Sequence, residues 1–148
     1  MAAEAAAQSA PSPENYLNLS LQYEKSGRHQ DAIAASKAAL KLRPDFAEAY
    51  NNIAAAYENL SMWDEAIQAA QEALRINPNF QLAKNNLAWS QTRKKQTQEA
   101  TFSAEAAVKR SESERWAREV LQISLMLPSG RRRGSGSRSS MRTGTSRS

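Results

Sequence analysis

Residues 13–46, PENYLNLSLQYEKSGRHQDAIAASKAALKLRPDF, align without a gap on residues 47–80, AEAYNNIAAAYENLSMWDEAIQAAQEALRINPNF. The pairs Tyr16/Tyr50, Asn18/Asn52, Tyr23/Tyr57, Ala32/Ala66, Ile33/Ile67, Ala39/Ala73, Leu40/Leu74, Pro44/Pro78 and Phe46/Phe80 are identical, each separated by the same interval of one full unit. Self-similarity at a fixed period of this size is the mark of a repeat architecture, in which one supersecondary unit is stacked on the next.

Each unit reads as two helices. Tyr16, Leu19 and Tyr23 are spaced three and four apart, which is one helical face. A break follows at Ser26-Gly27, and at Leu60-Ser61 in the second unit. The second helix carries Ala32, Ile33, Ala39 and Leu40 or their equivalents. Small residues let helix backbones approach closely, and Tyr23 and Tyr57 fill the remaining space. Pro44 and Pro78 end the units, since proline cannot donate the helical hydrogen bond and disfavours helix at the residue before it.

This pattern resembles the tetratricopeptide family. Its signature has an aromatic at unit position 4, Leu at 7, a small residue at 8, Tyr at 11, Ala at 20, an aromatic at 24, Ala at 27 and Pro at 32. Unit one supplies Tyr16, Leu19, Ser20, Tyr23, Ala32, Ser36, Ala39 and Pro44; unit two supplies Tyr50, Ile53, Ala54, Tyr57, Ala66, Ala70, Ala73 and Pro78. Both depart from it at position 24, where a small residue replaces the aromatic. The resemblance implies an all-α fold, a right-handed α-α solenoid of helical hairpins.

About three such units are needed for stability, so residues 81–114 are expected to form a degenerate third repeat. Leu87 and Ala88 fall at positions 7 and 8, and Ala100, Ala104 and Ala107 at 20, 24 and 27. Lys84 and Gln91 replace the aromatics, and Glu112 stands at the proline position. Residues 115–127 place Trp116, Val120, Ile123 and Leu127 on one amphipathic face. That face is expected to form a capping helix over the open end of the array, or else to meet another protein.

In this family the first helices line a concave groove. Asn occupies position 6 in every unit, as Asn18, Asn52 and Asn86, with Asn51 and Asn85 beside it in the later two. Amides both donate and accept, so a row of them could hold the main chain of an extended peptide. The arrangement is similar to the asparagine ladder in the tetratricopeptide region of the O-linked N-acetylglucosamine transferases. The alternative role for these amides is local helix packing. Leu17, Leu21 and Trp89 are further candidate partner-binding residues, although Trp89 also suits a core position under the C-terminal helix. Family members that grip a chaperone's C-terminal carboxylate do so with Lys, Asn, Asn, Lys and Arg; the matching positions here hold Leu17, Leu21, Asn52, Leu82 and Asn86, of which only Asn52 agrees, so the cations are missing.

The rest of the chain sets limits. With no cysteine and only His29 among histidines, thiolate metal sites and Ser-His or Cys-His nucleophiles are not expected, and a reducing, cytoplasmic setting fits. No stretch approaches the roughly 20 apolar residues of a membrane span. No phosphate-binding loop is present. The expectation is a non-enzymatic module without cofactor. Residues 1–12 read as a disordered leader. Residues 128–148 read as a disordered Arg/Ser/Gly tail, with six arginines and no acid. Without those six, 14 basic residues face 15 acids, so the net charge of +5 belongs to the tail. The tail offers sequence-independent contact with nucleic-acid phosphates; otherwise it is a solvated or frame-shifted end. The leading expectation is a scaffold binding a protein or peptide ligand in the groove. The alternatives are the non-catalytic recognition part of a glycosyltransferase system and a nucleic-acid-associated protein acting through its tail.

Overall fold

The computed structural model describes residues 2–127, so the readings of the 128–148 tail lie outside the described residues. Among the described residues six helices follow one another: α1 (Ala2–Ser9), α2 (Pro13–Lys25), α3 (His29–Leu42), α4 (Ala47–Asn59), α5 (Trp63–Ile76) and α6 (Gln81–Met126). No strand occurs among the described residues. The chain divides into two compact units, Met1–Glu105 and Ala106–Ser148. In the second, the described part is the C-terminal end of α6.

The two clear repeats are the hairpins α2–α3 and α4–α5. Helix α2 starts at Ser12, whose side chain accepts the Asn15 N–H at 3.1 Å. Pro13 follows in the first turn, where its missing N–H costs nothing. The bonds that close the two hairpin turns correspond. Arg28 N–H donates to the Tyr23 carbonyl at 2.8 Å and Met62 N–H to the Tyr57 carbonyl at 2.9 Å. Between them stand Gly27, with φ +71°, and Ser61, with φ +58°. Both occupy unit position 15, and both take the left-handed conformation that reverses the chain. Glycine adopts it freely, whereas a side chain there costs about 1–2 kcal/mol.

The core is built from small side chains. Ser20, Ala32, Ser36 and Ala39 in unit one, and Ala54, Ala66, Ala70 and Ala73 in unit two, are all 0% exposed. Around them pack Leu19, Ile33, Tyr16 and Tyr23, and then Ile53, Leu40 and Tyr57. Position 24 shows how two chemistries fill one space. Ser36 Oγ lies 2.6 Å from Ser20 Oγ, while the equivalent Ala70 and Ala54 leave no polar group to satisfy.

Two expectations are corrected. The leader is not disordered over its length: Ala2–Ser9 forms α1. Alanine has the highest helix propensity, and Ala3 and Ala7, one turn apart, are buried against Leu19 and Ala35. Glu4 accepts the Tyr23 hydroxyl at 2.6 Å. At the next interface Leu40 of α3 packs on Ile53 and Ala69, which lie one repeat length beyond Leu19 and Ala35. Helix α1 thus stands where a preceding unit's second helix would.

The third hairpin and the separate capping helix do not form either: residues 81–126 are one unbroken helix. Unit position 15 is here Lys95, inside QTRKKQTQE, a stretch with no Gly, Pro or left-handed residue. Nothing reverses the chain there, so Ala100, Ala104 and Ala107 stay on α6. Residues 101–127 are exposed, including Trp116, Val120, Ile123 and Leu127, the face expected to be buried as a cap.

Two stability measurements follow. A Cβ added at Gly27 would meet nothing within 4 Å, so Gly27→Ala isolates the backbone term and should cost about 1–2 kcal/mol in urea unfolding. Ser20→Ala or Ser36→Ala alone leaves one buried hydroxyl without its partner and should cost about 1–3 kcal/mol. The double alanine variant, which copies unit two, should be nearly neutral.

Candidate functional site

The candidate residues lie on α2, α4 and the beginning of α6, the first helices of three successive units. Equivalent residues on them meet different neighbours. Asn18 is exposed, as is Leu21 at 41%. They line an open recess of about 370 Å³ whose walls are α1 and α2, with Asn15, Gln22 and Lys25 around them. Leu17 is half-buried against the cluster of Ala39, Phe46 and Ala49. It packs within the array more than it faces outward.

The later asparagines are partly engaged. Asn86 donates from Nδ2 to Asn51 Oδ1 at 3.0 Å, and Asn51 is buried. Asn85 is exposed and accepts from Gln81 Nε2 at 3.0 Å. Asn52 is half-buried; its Nδ2 is buried and has no hydrogen-bond partner. The step that pairs Asn86 with Asn51 pairs Asn52 in register with Leu17, which has no side-chain acceptor. Local packing therefore holds Asn86 and Asn51, while Asn18 and Asn52 keep unused amide capacity.

Trp89 is 54% exposed, and so is not a core residue. The Arg93 guanidinium lies 5.3 Å from its ring centroid and 5.7 Å from that of Trp63. Cation–π contacts with both rings hold a cation beside an exposed indole. Sequence reading of the groove missed Arg93 and Trp63. It weighed amides and apolar residues on the first helices, whereas Arg93 is a cation and Trp63 lies on a second helix.

A second row of polar contacts, also missed, runs through unit position 12. Glu24 Oε1 lies 3.0 Å from His29 Nδ1, and Glu24 Oε2 accepts from Asn59 Nδ2 at 3.0 Å. Its equivalent, Glu58, accepts from Ser90 Oγ at 2.6 Å. The recurrence of glutamate at the same place in both units was the available signal. Burial raises the Glu58 pKa above the ordinary glutamate value, and the Ser90 hydroxyl offsets only part of that. Tyr23 is also raised, first by its hydrogen bond to the Glu4 carboxylate. Among the described residues no three His, Cys, Asp or Glu are grouped to hold a metal, and no helix is long and apolar enough to cross a membrane.

The Glu58 shift has a signed consequence. Below the ordinary glutamate range the carboxyl is neutral in both folded and unfolded chains, and carries no penalty. As pH rises through the window up to the raised folded value, the unfolded chain loses its proton first, so stability falls. Glu58→Gln should unfold at a higher urea concentration than the parent above that window. The two should converge below it, as read by unfolding curves across pH.

Comparisons with known proteins agree with this architecture. Residues 47–80 match the tetratricopeptide repeat family model, and residues 21–61 match a second model described as TPR repeat. No curated protein matches in sequence. Among solved structures, the MamA protein is 26% identical with a TM-score of 0.55, over 70% of this chain and 56% of its own. The Sgt2 TPR domain from Aspergillus fumigatus is 22% identical with a TM-score of 0.58, over 67% of this chain and 66% of its own. The first TPR of Spaghetti (RPAP3), bound to the HSP90 peptide SRMEEVD, is 24% identical with a TM-score of 0.52, over 54% of this chain and 64% of its own. This chain therefore spans less than two thirds of each.

Proposed function

We propose, from the premise that residues 21–80 carry tetratricopeptide repeats, that the chain is a protein-interaction scaffold holding an extended polypeptide across the surface of α2, α4 and the start of α6. The carrying observation is Asn52, half-buried in the middle of that surface, whose amide nitrogen has no partner within the chain and reaches a ligand once the side chain turns about χ2. Buried donors are almost always satisfied, and a ligand's main-chain carbonyl is an acceptor that any sequence can supply. Asn18, at the same position of the preceding unit, is exposed. Leu21 at one end and Trp89 at the other offer apolar contact for ligand side chains, and a half-exposed tryptophan is a frequent centre of binding energy.

The surface differs from one that reads a terminal carboxylate. Leu17, Leu82 and Asn86 stand where cations would be needed. The ligand is thus an internal stretch of chain, recognised by its backbone.

Peptide arrays followed by fluorescence anisotropy test this reading. Asn52→Leu removes an unmet buried donor, so it should leave the melting temperature unchanged or higher. It should weaken peptide binding about tenfold, one hydrogen bond's worth at about 1.4 kcal/mol. Trp89→Ala should weaken the same peptides. Asn86→Ala should instead lower stability by about 1–3 kcal/mol, because it strands Asn51. The peptide SRMEEVD, with a free or amidated C-terminus, should bind equally poorly; a strong preference for the free carboxylate would sink the proposal.

A further inference from the structure

We propose that residues 115–127, together with the arginines that follow them, anchor this chain to the surface of an anionic phospholipid bilayer. This goes beyond the peptide-binding reading and does not rest on it.

The first observation is an apolar face left in water. Residues 115–127 lie in the second compact unit, Ala106–Ser148. Trp116, Val120, Leu121, Ile123, Leu125 and Leu127 are all exposed there, Leu125 at 86%. The helix ends at Met126, but the Leu127 N–H still donates to the Ile123 carbonyl at 3.1 Å, so the register holds to the last of them. Apolar surface of this extent on a protein marks a place where something else binds.

The second observation is the shape of that face, which selects its occupant. At about 3.6 residues per turn, the six side chains span an arc of roughly 200°, with Ala117 and Ser124 inside it. Arg115, Arg118, Glu119 and Gln122 take the remaining side, with Met126 at the last turn. A pair of helices buries a narrower stripe and would leave Leu121 or Leu125 in water. The stripe is also too short for such a pair. Followed towards the N-terminus it meets Lys109, Glu112 and Ser113, whereas a coiled coil needs about three apolar heptads in succession. A lipid surface takes a broad face, because the helix sinks until its polar side meets the headgroups, the level that suits the Trp116 indole. At about 1.5 Å per residue the stretch is about 20 Å long, short of the roughly 30 Å hydrocarbon core. It lies in the interface and does not cross.

The third observation is charge. No acidic side chain follows Glu119, while Arg131, Arg132, Arg133, Arg138, Arg142 and Arg147 do. An apolar insertion alone holds a protein to a bilayer weakly; a basic run beside it supplies the second attachment. Each arginine near an anionic surface strengthens binding about fivefold. Nucleic-acid phosphates would attract the same arginines, but no Phe, Tyr or Trp follows Trp116 to stack on bases, and a nucleic acid would leave the apolar face uncovered.

The chain has no cysteine, so Leu125→Cys and Arg118→Cys can each carry a polarity-sensitive fluorophore, one on either side of the helix. Both positions are exposed, and circular dichroism of each variant should match the parent. With mixed phosphatidylserine and phosphatidylcholine vesicles, the full chain should sediment with the lipid, and the label at 125 should shift to the blue far more than the label at 118. Phosphatidylcholine vesicles should bind weaker by about a hundredfold, and added salt should release the chain from the anionic ones. Ile123→Glu should weaken vesicle binding by more than about tenfold. Replacing Arg131, Arg132 and Arg133 with Ser should weaken it by about a hundredfold. No sedimentation with the anionic vesicles, equal binding to neutral ones, equal shifts at 118 and 125, or undiminished binding of Ile123→Glu would each overturn the anchor. So would a label at 125 already blue-shifted without lipid in a dimeric chain, which assigns the face to a second copy. Tight binding of single-stranded RNA that Ile123→Glu leaves intact, with none to vesicles, would overturn it in favour of RNA.

Discussion

The structure depends on how closely two helix backbones approach within each hairpin. At the contact of position 8 with position 24 only hydroxymethyl and methyl groups are found, all fully buried. Ser20 with Ser36, and Ala54 with Ala70, are the two solutions present. The large side chains, Tyr16, Tyr23, Leu40 and Tyr57, lie around that contact and seal it. Larger residues at position 24 would hold the helices apart and undo the sealing. The same spacing explains α1, an alanine-rich helix that stands where a preceding unit would and closes the array at low conformational cost.

Much of this was legible in the sequence, and the limits have physical causes. The two repeats, their turns at Ser26-Gly27 and Leu60-Ser61, and their ends at Pro44 and Pro78 could be read because each depends on residues within the unit. Helix α1 escaped because its alanines have no amphipathic signal, since a methyl group scarcely distinguishes buried from exposed. The third unit misled because its small residues keep the register through Ala107, while the information that folds a hairpin sits at position 15, outside the small-residue code. Lys95 carries it.

The asparagine register shows a similar limit. Position 6 is Asn three times, yet the three amides differ. Asn86 bonds Asn51 at position 5 of the preceding unit, Asn52 has the apolar Leu17 at the equivalent position and no bond on its nitrogen, and Asn18 lines the open recess beside α1. Aligning units one above another reveals which residues are equivalent. It does not reveal partners, because these contacts run between one unit and the next. Glu24 and Glu58 diverge for the same reason, one beside His29 and Asn59 and the other beside Ser90.

The left-handed residue at the hairpin turn has a genetic consequence. Turn and packing are written at different positions: the chain reverses at position 15 in units one and two, while the small residues of positions 20, 24 and 27 recur in α6 without a turn before them. Array length and packing code can then drift separately.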